Sequence, residues 1–198
     1  MNSKLPPLIG LCSPAMFSGK TTVANSLVEN HGFTRLRLAG TLKAMTRAFL
    51  SGLGLPWEVV EDMVDGELKE QEIPVLGGVT PRHLMQTIGT EWGRACVHPE
   101  VWVNVAMNQA RMMRGDGAAV VFDDVRYRNE ADAIVAAGGV IVRIVRPEAV
   151  VTRTHSSEGE MDDYPVTYEL LNDGGFAGVP ERTARMLSAL NIPTSTGA

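Results

Sequence analysis

Short apolar segments alternate with helix-like segments along this chain of 198 residues. Apolar segments of this length predict strands, and a strand that is buried on both faces is apolar along nearly its whole length. Helices between such strands are typical of a parallel sheet, because parallel strands need a long crossover connection. The alternation predicts an α/β fold, with a parallel sheet of about five strands flanked by helices. The predicted strands lie in residues 7–13, 33–39, 117–125, 140–147 and 167–172.

Two longer segments interrupt this alternation and predict insertions into the sheet domain. The first, residues 54–114, contains several helix-like stretches. One of them starts at Thr80, a favourable N-cap residue, with Pro81 at the first helical position. The second insertion, residues 147–166, is polar and loop-like. A chain of this length fits one domain, so we expect residues 1–198 to form a single domain that carries both insertions.

The overall charge and composition restrict the partners that we expect. The net charge is −5 and the pI is near 5.4, whereas proteins that coat nucleic acid are usually basic. No apolar run approaches the roughly 18 residues of a membrane span. The two cysteines, Cys12 and Cys96, form no paired motif, which favours a reduced setting. We therefore expect a cytoplasmic protein with no membrane or nucleic-acid polymer as partner.

The stretch LIGLCSPAMFSGKTTVANSLV, residues 8–28, has the order strand, loop, helix that a phosphate-binding loop requires. Gly19, Lys20 and Thr21 fill the last three positions of the pattern G-x-x-x-x-G-K-[ST]. In this pattern the lysine reaches the β- and γ-phosphates, and the threonine hydroxyl binds Mg²⁺. Pro14 occupies the position of the first glycine, and proline has no N–H and a fixed φ. We expect a working phosphate loop with a reshaped first turn.

Two aspartates end the predicted strand at 117–125, at the sheet edge where the phosphate loop also lies. Asp123 and Asp124 point to opposite faces because strand side chains alternate, so only one of them can hold Mg²⁺. Arg126 follows and could contact a substrate phosphate. Asn129 is expected to cap the next helix, and Glu130 to lie in its first turn, where an acidic side chain usually interacts with the helix dipole.

The stretch TPRHLMQTIGTEWGR, residues 80–94, is expected to present a binding face. On one helix, Arg82, Gln86 and Gly93 would lie near the same side. The guanidinium of Arg82 can form two parallel hydrogen bonds to a monophosphate. The side-chain amide of Gln86 provides the donor and the acceptor that a base edge requires. Two glycines would each let a ring approach the backbone: Gly89 and Gly93. Two tryptophans could stack on a base, although burial in a core is commoner: Trp92 and Trp102.

Together these motifs resemble the phage-type deoxynucleoside monophosphate kinases, a branch of the P-loop nucleotide kinases. The resemblance covers most of the chain in the right order. It rests on SGKTTVA (18–24), LAGTLK (38–43), TPRHLMQTIGTEWGR (80–94), VWVN (101–104), DVRYRNEADAI (124–134), HSSE (155–158) and LLNDGG (170–175). It implies a three-layer P-loop kinase fold, with acceptor-binding helices in 54–114 and a lid in 147–166. It also implies transfer of the ATP γ-phosphate to a deoxynucleoside monophosphate, with Mg²⁺ as cofactor.

The resemblance also implies a role for individual residues. It places six at the ATP site: Ser18, Gly19, Lys20, Thr21, Thr22 and Asn172. It places six at the acceptor site: Lys43, Arg82, Gln86, Trp92, Arg126 and Glu130. Catalytic roles go to Lys20, Asp124 and Arg126, and metal ligation to Thr21 and Asp124. Two arginines belong to the lid, although solvated loop charges are an equally good interpretation of them: Arg146 and Arg153.

Three further expectations follow from the resemblance: a bacteriophage origin, action in the host cytoplasm, and a homodimer. The chain departs from the family pattern at Pro14, and at Thr22, where an aspartate is common. Two alternatives stay open from the residues alone. One is another small-molecule kinase of the same fold, such as a dephospho-coenzyme A kinase. The other is a nucleotide-binding module without kinase activity, in which Pro14 marks a degraded site.

Overall fold

The computed structural model describes residues 7–15, 18–147 and 159–192. Within these residues the chain divides into two compact units. The sheet unit contains the described residues up to Leu38 and from Met107 onwards, and the helical unit is Ala39–Ala106. Arg153 and the HSSE motif at 155–158 lie outside the described residues.

The sheet unit is built on five parallel strands, as the sequence predicted. They are β1 (Leu8–Cys12), β2 (Phe33–Leu36), β3 (Ala119–Phe122), β4 (Val140–Val145) and β5 (Tyr168–Leu171). Their order across the sheet is β2-β3-β1-β4-β5, and every neighbouring pair is parallel. Because β1 is central, its carboxyl end lies between those of β3 and β4, which is where an open α/β sheet binds its ligands.

Seven α-helices accompany the strands within the described residues. They are α1 (Lys20–His31), α2 (Gly40–Gly52), α3 (Trp57–Val64), α4 (Pro81–Gln86), α5 (Val101–Gly115), α6 (Arg128–Ala136) and α7 (Val179–Ala189). The predicted helices at these places are confirmed. No helix in the described part of the chain has both the length and the apolar character needed to cross a membrane.

Helices cover both faces of the sheet. On one face, α1 and α7 pack against each other and share a core with Ile9 and Leu11 of β1. The strand residue between them, Gly10, faces the other side, where Ile134 of α6 approaches it. Strands enclosed in this way have to be apolar along their whole length, and β1 is buried at all five positions. The observed architecture is therefore the predicted α/β fold with helices flanking the sheet.

The helical unit has a small core of its own, formed by α2, α3 and the turns that follow. Five buried residues make up this core: Leu50, Val60, Met63, Val64 and Ile73. The N-cap predicted for α4 is confirmed, because the Thr80 hydroxyl accepts a hydrogen bond from the His83 amide at 3.2 Å. Pro81 occupies the first helical position of α4.

The continuous α-helix expected over residues 80–94 is wrong in its second half. The α-helix stops at Gln86, and a π-helix runs over Thr87–Val97. A π-helix closes its hydrogen bonds over five residues, which widens each turn, so the 3.6-residue spacing no longer applies. Arg82 and Gln86 still share a face of α4. The 3.6-residue spacing no longer places Gly93 on that face.

The buried side chain of Trp102 contacts the π-helix at two glycines, Gly89 and Gly93. Its indole packs so closely on Gly93 that an added Cβ would lie 2.6 Å from Cζ2 of the ring. Its Nε1 donates to the Gly89 carbonyl at 2.8 Å, and the side chain is buried. Gly93 thus admits a ring, as expected, but the ring is Trp102 of the same chain, whereas a Cβ on Gly89 would meet Cδ1 of Leu42 at 2.9 Å. Of the two outcomes considered for Trp102, burial in a core is the one observed.

Candidate active site

The phosphate-binding loop connects the end of β1 at Cys12 with the start of α1 at Lys20. Gly19 has φ +97° and ψ 15°, the left-handed conformation that favours glycine. Around Pro14, the Ala15 amide donates to the Ser13 hydroxyl at 3.2 Å. No described side chain caps the N-terminus of α1. Its first amide groups, together with the helix dipole, therefore suit an anion such as a phosphate.

Asn172, at the end of β5, holds this loop from the side. Its Nδ2 donates to the Ser18 carbonyl at 2.8 Å, and its backbone amide donates to Val145 at 2.7 Å. The side chain of Asn172 lies so close to Gly19 that a Cβ there would be 2.3 Å from Nδ2. The late LLNDGG segment is thus adjacent to the loop. The structure brings three of the predicted ATP-site residues into contact: Ser18, Gly19 and Asn172.

Lys20 lies in a partly buried, electropositive position. Burial lowers the pKa of its ammonium group, and the nearby positive charge of Arg126 lowers this pKa further. Cys12 and Asp123, by contrast, raise the pKa of Lys20. Two cations that repel each other beside a phosphate-binding loop are favourable for binding an anion, because a phosphate would relieve the repulsion. Predicted residues Lys20 and Arg126 are therefore within electrostatic reach of each other.

The two aspartates lie just beyond the last residue of β3 and have different partners. Asp123 is buried and forms ion pairs with Arg35 and with Arg37, the latter at 3.6 Å between Nε and Oδ1. Asp124 is half-buried, and its Oδ1 accepts from the Leu38 amide at 2.9 Å. The arginines in β2 and just after it were missed as part of this site. The alternation of arginine and apolar residues in FTRLRLA was the available signal.

The oxygen atoms at this edge are of the kind that Mg²⁺ binds. Thr21 is exposed at the start of α1, and Asp124 provides a carboxylate. The described residues contain no group of three or more metal-ligating side chains. Mg²⁺ in kinases is held by one or two carboxylates, water and substrate phosphates, so this donor set fits it.

The segment between β3 and α6 is shaped by Glu130. Its Oε2 accepts from the amides of Arg126 at 2.8 Å and Tyr127 at 3.1 Å, and the side chain is buried. Helix α6 begins at Arg128 with Tyr127 as N-cap residue, so the expectation that Asn129 caps it is wrong. Glu130 fixes the backbone that carries Arg126. Its direct contact with a substrate stays a prediction.

The predicted acceptor residues Lys43 and Arg82 lie in the helical unit, and both are ion-paired there. Lys43 contacts Asp65, and Arg82 contacts Glu70. Asp65 is shared, because Arg47 also reaches it at 2.5 Å. The acidic segment after α3 therefore supplies counterions to cations that were predicted to meet a phosphate. These carboxylates were missed by sequence reasoning.

Two other predicted acceptor residues are accessible within the same unit. Gln86 is exposed at the end of α4, and Trp92 is 45% exposed in the π-helix. The ring of Trp92 tilts against Trp102, with 6.3 Å between centroids and an interplanar angle of 46°. Of the two tryptophans, Trp92 is therefore the one with a surface left for a ligand.

A cleft of about 250 Å³ lies beside Asn172 in the sheet unit. Arg146 and Pro147 line one part of it, and residues 172–175 line the rest. Arg146 is exposed, and it is the described member of the two arginines predicted for the lid. Arg153 lies outside the described residues, so its place relative to this cleft is a prediction.

Comparison with known proteins gives a consistent result. Residues 58–179 match the family model for deoxynucleotide monophosphate kinase. The chain is 34% identical over 166 residues to a "Putative deoxynucleotide monophosphate kinase" of Acanthamoeba polyphaga mimivirus, covering 78% of this chain and 81% of that protein. It is 30% identical over 101 residues to the deoxynucleoside-5'-monophosphate kinase of Escherichia phage T5, covering 48% of this chain and 40% of that protein.

Solved structures were also compared. A dephospho-CoA kinase from Campylobacter jejuni has a TM-score of 0.49 at 11% identity, covering 94% of this chain and 98% of that one. A sugar kinase from Janibacter sp. HTCC2649 has a TM-score of 0.45 at 12% identity, covering 98% and 99%. The family match spans more than half of the chain, and the mimivirus relative is similar over most of it. This chain belongs to the deoxynucleotide monophosphate kinase family.

Proposed function

We propose that this protein transfers the γ-phosphate of ATP to a deoxynucleoside monophosphate, giving a deoxynucleoside diphosphate and ADP, with Mg²⁺ as cofactor. One observation supports this most strongly. A loop that ends in the left-handed Gly19 leads into the N-terminus of α1, which no side chain of the described residues caps, and Lys20 and Arg126 bring two positive charges to it. Phosphoryl transfer depends mainly on positioning and on neutralising phosphate charge, and this arrangement supplies both.

On the donor side, the loop amides and Lys20 would hold the β- and γ-phosphates of ATP. Thr21 and Asp124 would hold Mg²⁺, which, when bound, neutralises charge on the phosphate oxygens. Arg126, on the backbone segment fixed by Glu130, would contact the phosphoryl group that moves. The adenine would occupy the cleft beside Asn172, which Arg146 also lines.

On the acceptor side, Lys43 and Arg82 would bind the monophosphate, Gln86 would contact the base edge, and Trp92 would stack on the base. Both cations are paired with carboxylates in the helical unit, and a phosphate would take the place of those partners. The acceptor phosphate is already anionic at neutral pH, so the reaction needs no strong general base. Phage or viral origin, the host cytoplasm as location, and a homodimer stay predictions from the resemblance.

Steady-state kinetics of Arg82→Ala test the division between donor and acceptor residues. We expect the KM for the deoxynucleoside monophosphate to rise about ten-fold or more, because a charge-assisted pair is lost, while the KM for ATP stays unchanged. Arg111→Ala is the matched control, since Arg111 is an exposed arginine on α5 that bonds only to Asn108 among the described residues. Equal acceptor KM values in the Arg82 variant and this control would contradict the assignment.

A further inference from the structure

Arg182, on α7, is a half-buried arginine that contacts the loop after β5 with its guanidinium group. Its Nη2 donates to the side-chain Oδ1 of Asn172 at 3.1 Å and to the Gly175 carbonyl at 3.0 Å. The Gly174 carbonyl is also within reach, at 3.5 Å. No carboxylate in the described part of the chain pairs with this guanidinium. The side-chain hydrogen bonds that Arg182 makes within the described residues go from Nη2 to this loop and to Asn172, while its buried Nε has no partner there.

The amide of Asn172 connects this contact to the phosphate-binding loop. With Oδ1 bound to Arg182, Nδ2 faces the Ser18 carbonyl and donates to it at 2.8 Å. The peptide unit between Ser18 and Gly19 is planar and trans, so its N–H points opposite to its C=O. Holding the Ser18 carbonyl on the side of Asn172 therefore directs the Gly19 N–H away from Asn172. Backbone N–H groups of such a loop are the groups that hold phosphate oxygens.

Two glycines leave the space that the guanidinium occupies. A Cβ on Gly174 would lie 2.9 Å from Nη1 of Arg182, and a Cβ on Gly178 would lie 2.6 Å from it. Gly175, by contrast, has nothing within 4 Å of an added Cβ. Gly174 and Gly175 line the cleft beside Asn172, whereas Gly178 does not, so substitution of Gly178 would push the guanidinium without entering that cleft.

We propose that Arg182 is a positioning residue for the phosphate-binding loop, acting through Asn172 on the Ser18–Gly19 peptide and thereby setting the affinity for ATP. This inference rests on the proposed kinase function. Arg182 itself does not line the cleft assigned to the adenine. Its contribution is to select the orientation of the Asn172 amide, which can otherwise turn its oxygen and nitrogen the other way.

The first test compares Arg182→Gln with Arg185→Gln. Arg185 lies on the same helix, is 67% exposed, and pairs with Glu181 at 3.6 Å, so both variants lose one positive charge. For Arg182→Gln we expect the KM and Kd for ATP to rise about ten-fold, as loss of a charged hydrogen bond implies, with the KM for the deoxynucleoside monophosphate unchanged. For Arg185→Gln we expect wild-type values.

A double-mutant cycle tests the path through Asn172. If Arg182 acts through that amide, then Arg182→Gln should weaken ATP binding in the wild type but have little further effect in an Asn172→Ala background. Gly178→Ala should reproduce the Arg182→Gln effect, because its Cβ displaces the end of a flexible side chain and Gly178 does not line the cleft beside Asn172.

The possible results separate this inference from the proposed function. Unchanged ATP affinity in folded Arg182→Gln and Gly178→Ala would overturn the positioning role while kinase activity stands. An effect of Arg182→Gln that is the same with and without the Asn172 side chain would also overturn it. A wild-type protein that does not bind ATP would overturn both. Thermal unfolding of each variant shows whether it is folded at the assay temperature.

Discussion

At the scale of single residues, the electrostatics of Lys20 are the most informative feature of the site. Burial and the charge of Arg126 both lower its pKa from the ordinary 10.5 of a lysine. The triphosphate of ATP would bring negative charge next to the ammonium group and raise the same pKa. ATP therefore binds more tightly when Lys20 is protonated, so the affinity for ATP falls when this lysine loses its proton.

We predict that ATP affinity is full at pH values below the lowered pKa of Lys20 in the free protein. The affinity should fall as the pH rises through that pKa, by at most about ten-fold per pH unit for one proton. Lys20→Arg is the matched control, because a guanidinium stays charged throughout this range. The measurement is the Kd for ATP from neutral to strongly alkaline pH. Parallel pH profiles for the two proteins would contradict the assigned role of Lys20.

Glu130 shows how a residue can matter at the site without touching a ligand. It lies where an acidic residue is favourable in a first helical turn, and its carboxylate holds the amides of Arg126 and Tyr127. The structure therefore gives it a contact with the backbone that presents Arg126. From the sequence alone, a carboxylate four residues after an arginine does not reveal whether it faces a substrate or the preceding amides.

At the scale of elements, the π-helix over Thr87–Val97 and its contact with Trp102 set the local structure of the helical unit. The ring of Trp102 packs directly on the backbone at Gly93, where the nearest carbonyl, that of Ile88, is 2.8 Å from the position of a Cβ. Neither neighbour is the end of a flexible side chain, so a larger residue at Gly93 has no simple way to fit.

We predict that Gly93→Ala destabilises the protein by about 1–3 kcal/mol, the usual cost of overpacking a close contact. The control is Gly52→Ala in the same unit, since Gly52 is helical at the end of α2 and has nothing within 4 Å of an added Cβ. That variant should be neutral or more stable by about 0.5–1 kcal/mol. Thermal unfolding of the two variants is the measurement. Equal Tm values would contradict the prediction, because they would show that the contact with Trp102 leaves room for a methyl group at Gly93.

The strands and most helices could be predicted from the sequence because their signals are local. β1, β3 and β4 are short apolar runs, and Thr80 with Pro81 marks a helix start. The π-helix could not be predicted, because it depends on how Trp102 packs rather than on propensity. The ion pair between Arg35 and Asp123 joins residues that are 88 positions apart. Such pairs follow from the strand order, which a single sequence does not specify.

At the scale of the whole molecule, the predicted residues divide between the two compact units. The phosphate-binding loop, Asp124, Arg126 and Asn172 belong to the sheet unit, whereas Lys43, Arg82 and Gln86 belong to the helical unit. This division matches the two substrates of the proposed reaction except at Arg126 and Glu130, which lie in the sheet unit and were also predicted for the acceptor site. Each unit also has its own core and its own ion pairs. Variants at Lys43, Arg82 or Gln86 are expected to change the kinetics of the acceptor and leave those of ATP unchanged.

The central claim is that this chain phosphorylates deoxynucleoside monophosphates, and ADP release from Mg-ATP tests it most directly. Each common deoxynucleoside monophosphate would be added in turn, with dephospho-coenzyme A alongside and Lys20→Ala as the inactive control. We predict release that depends on one or more deoxynucleoside monophosphates and falls by about 10²-fold or more in Lys20→Ala. Release only with dephospho-coenzyme A, or no release despite measurable ATP binding, would contradict the claim.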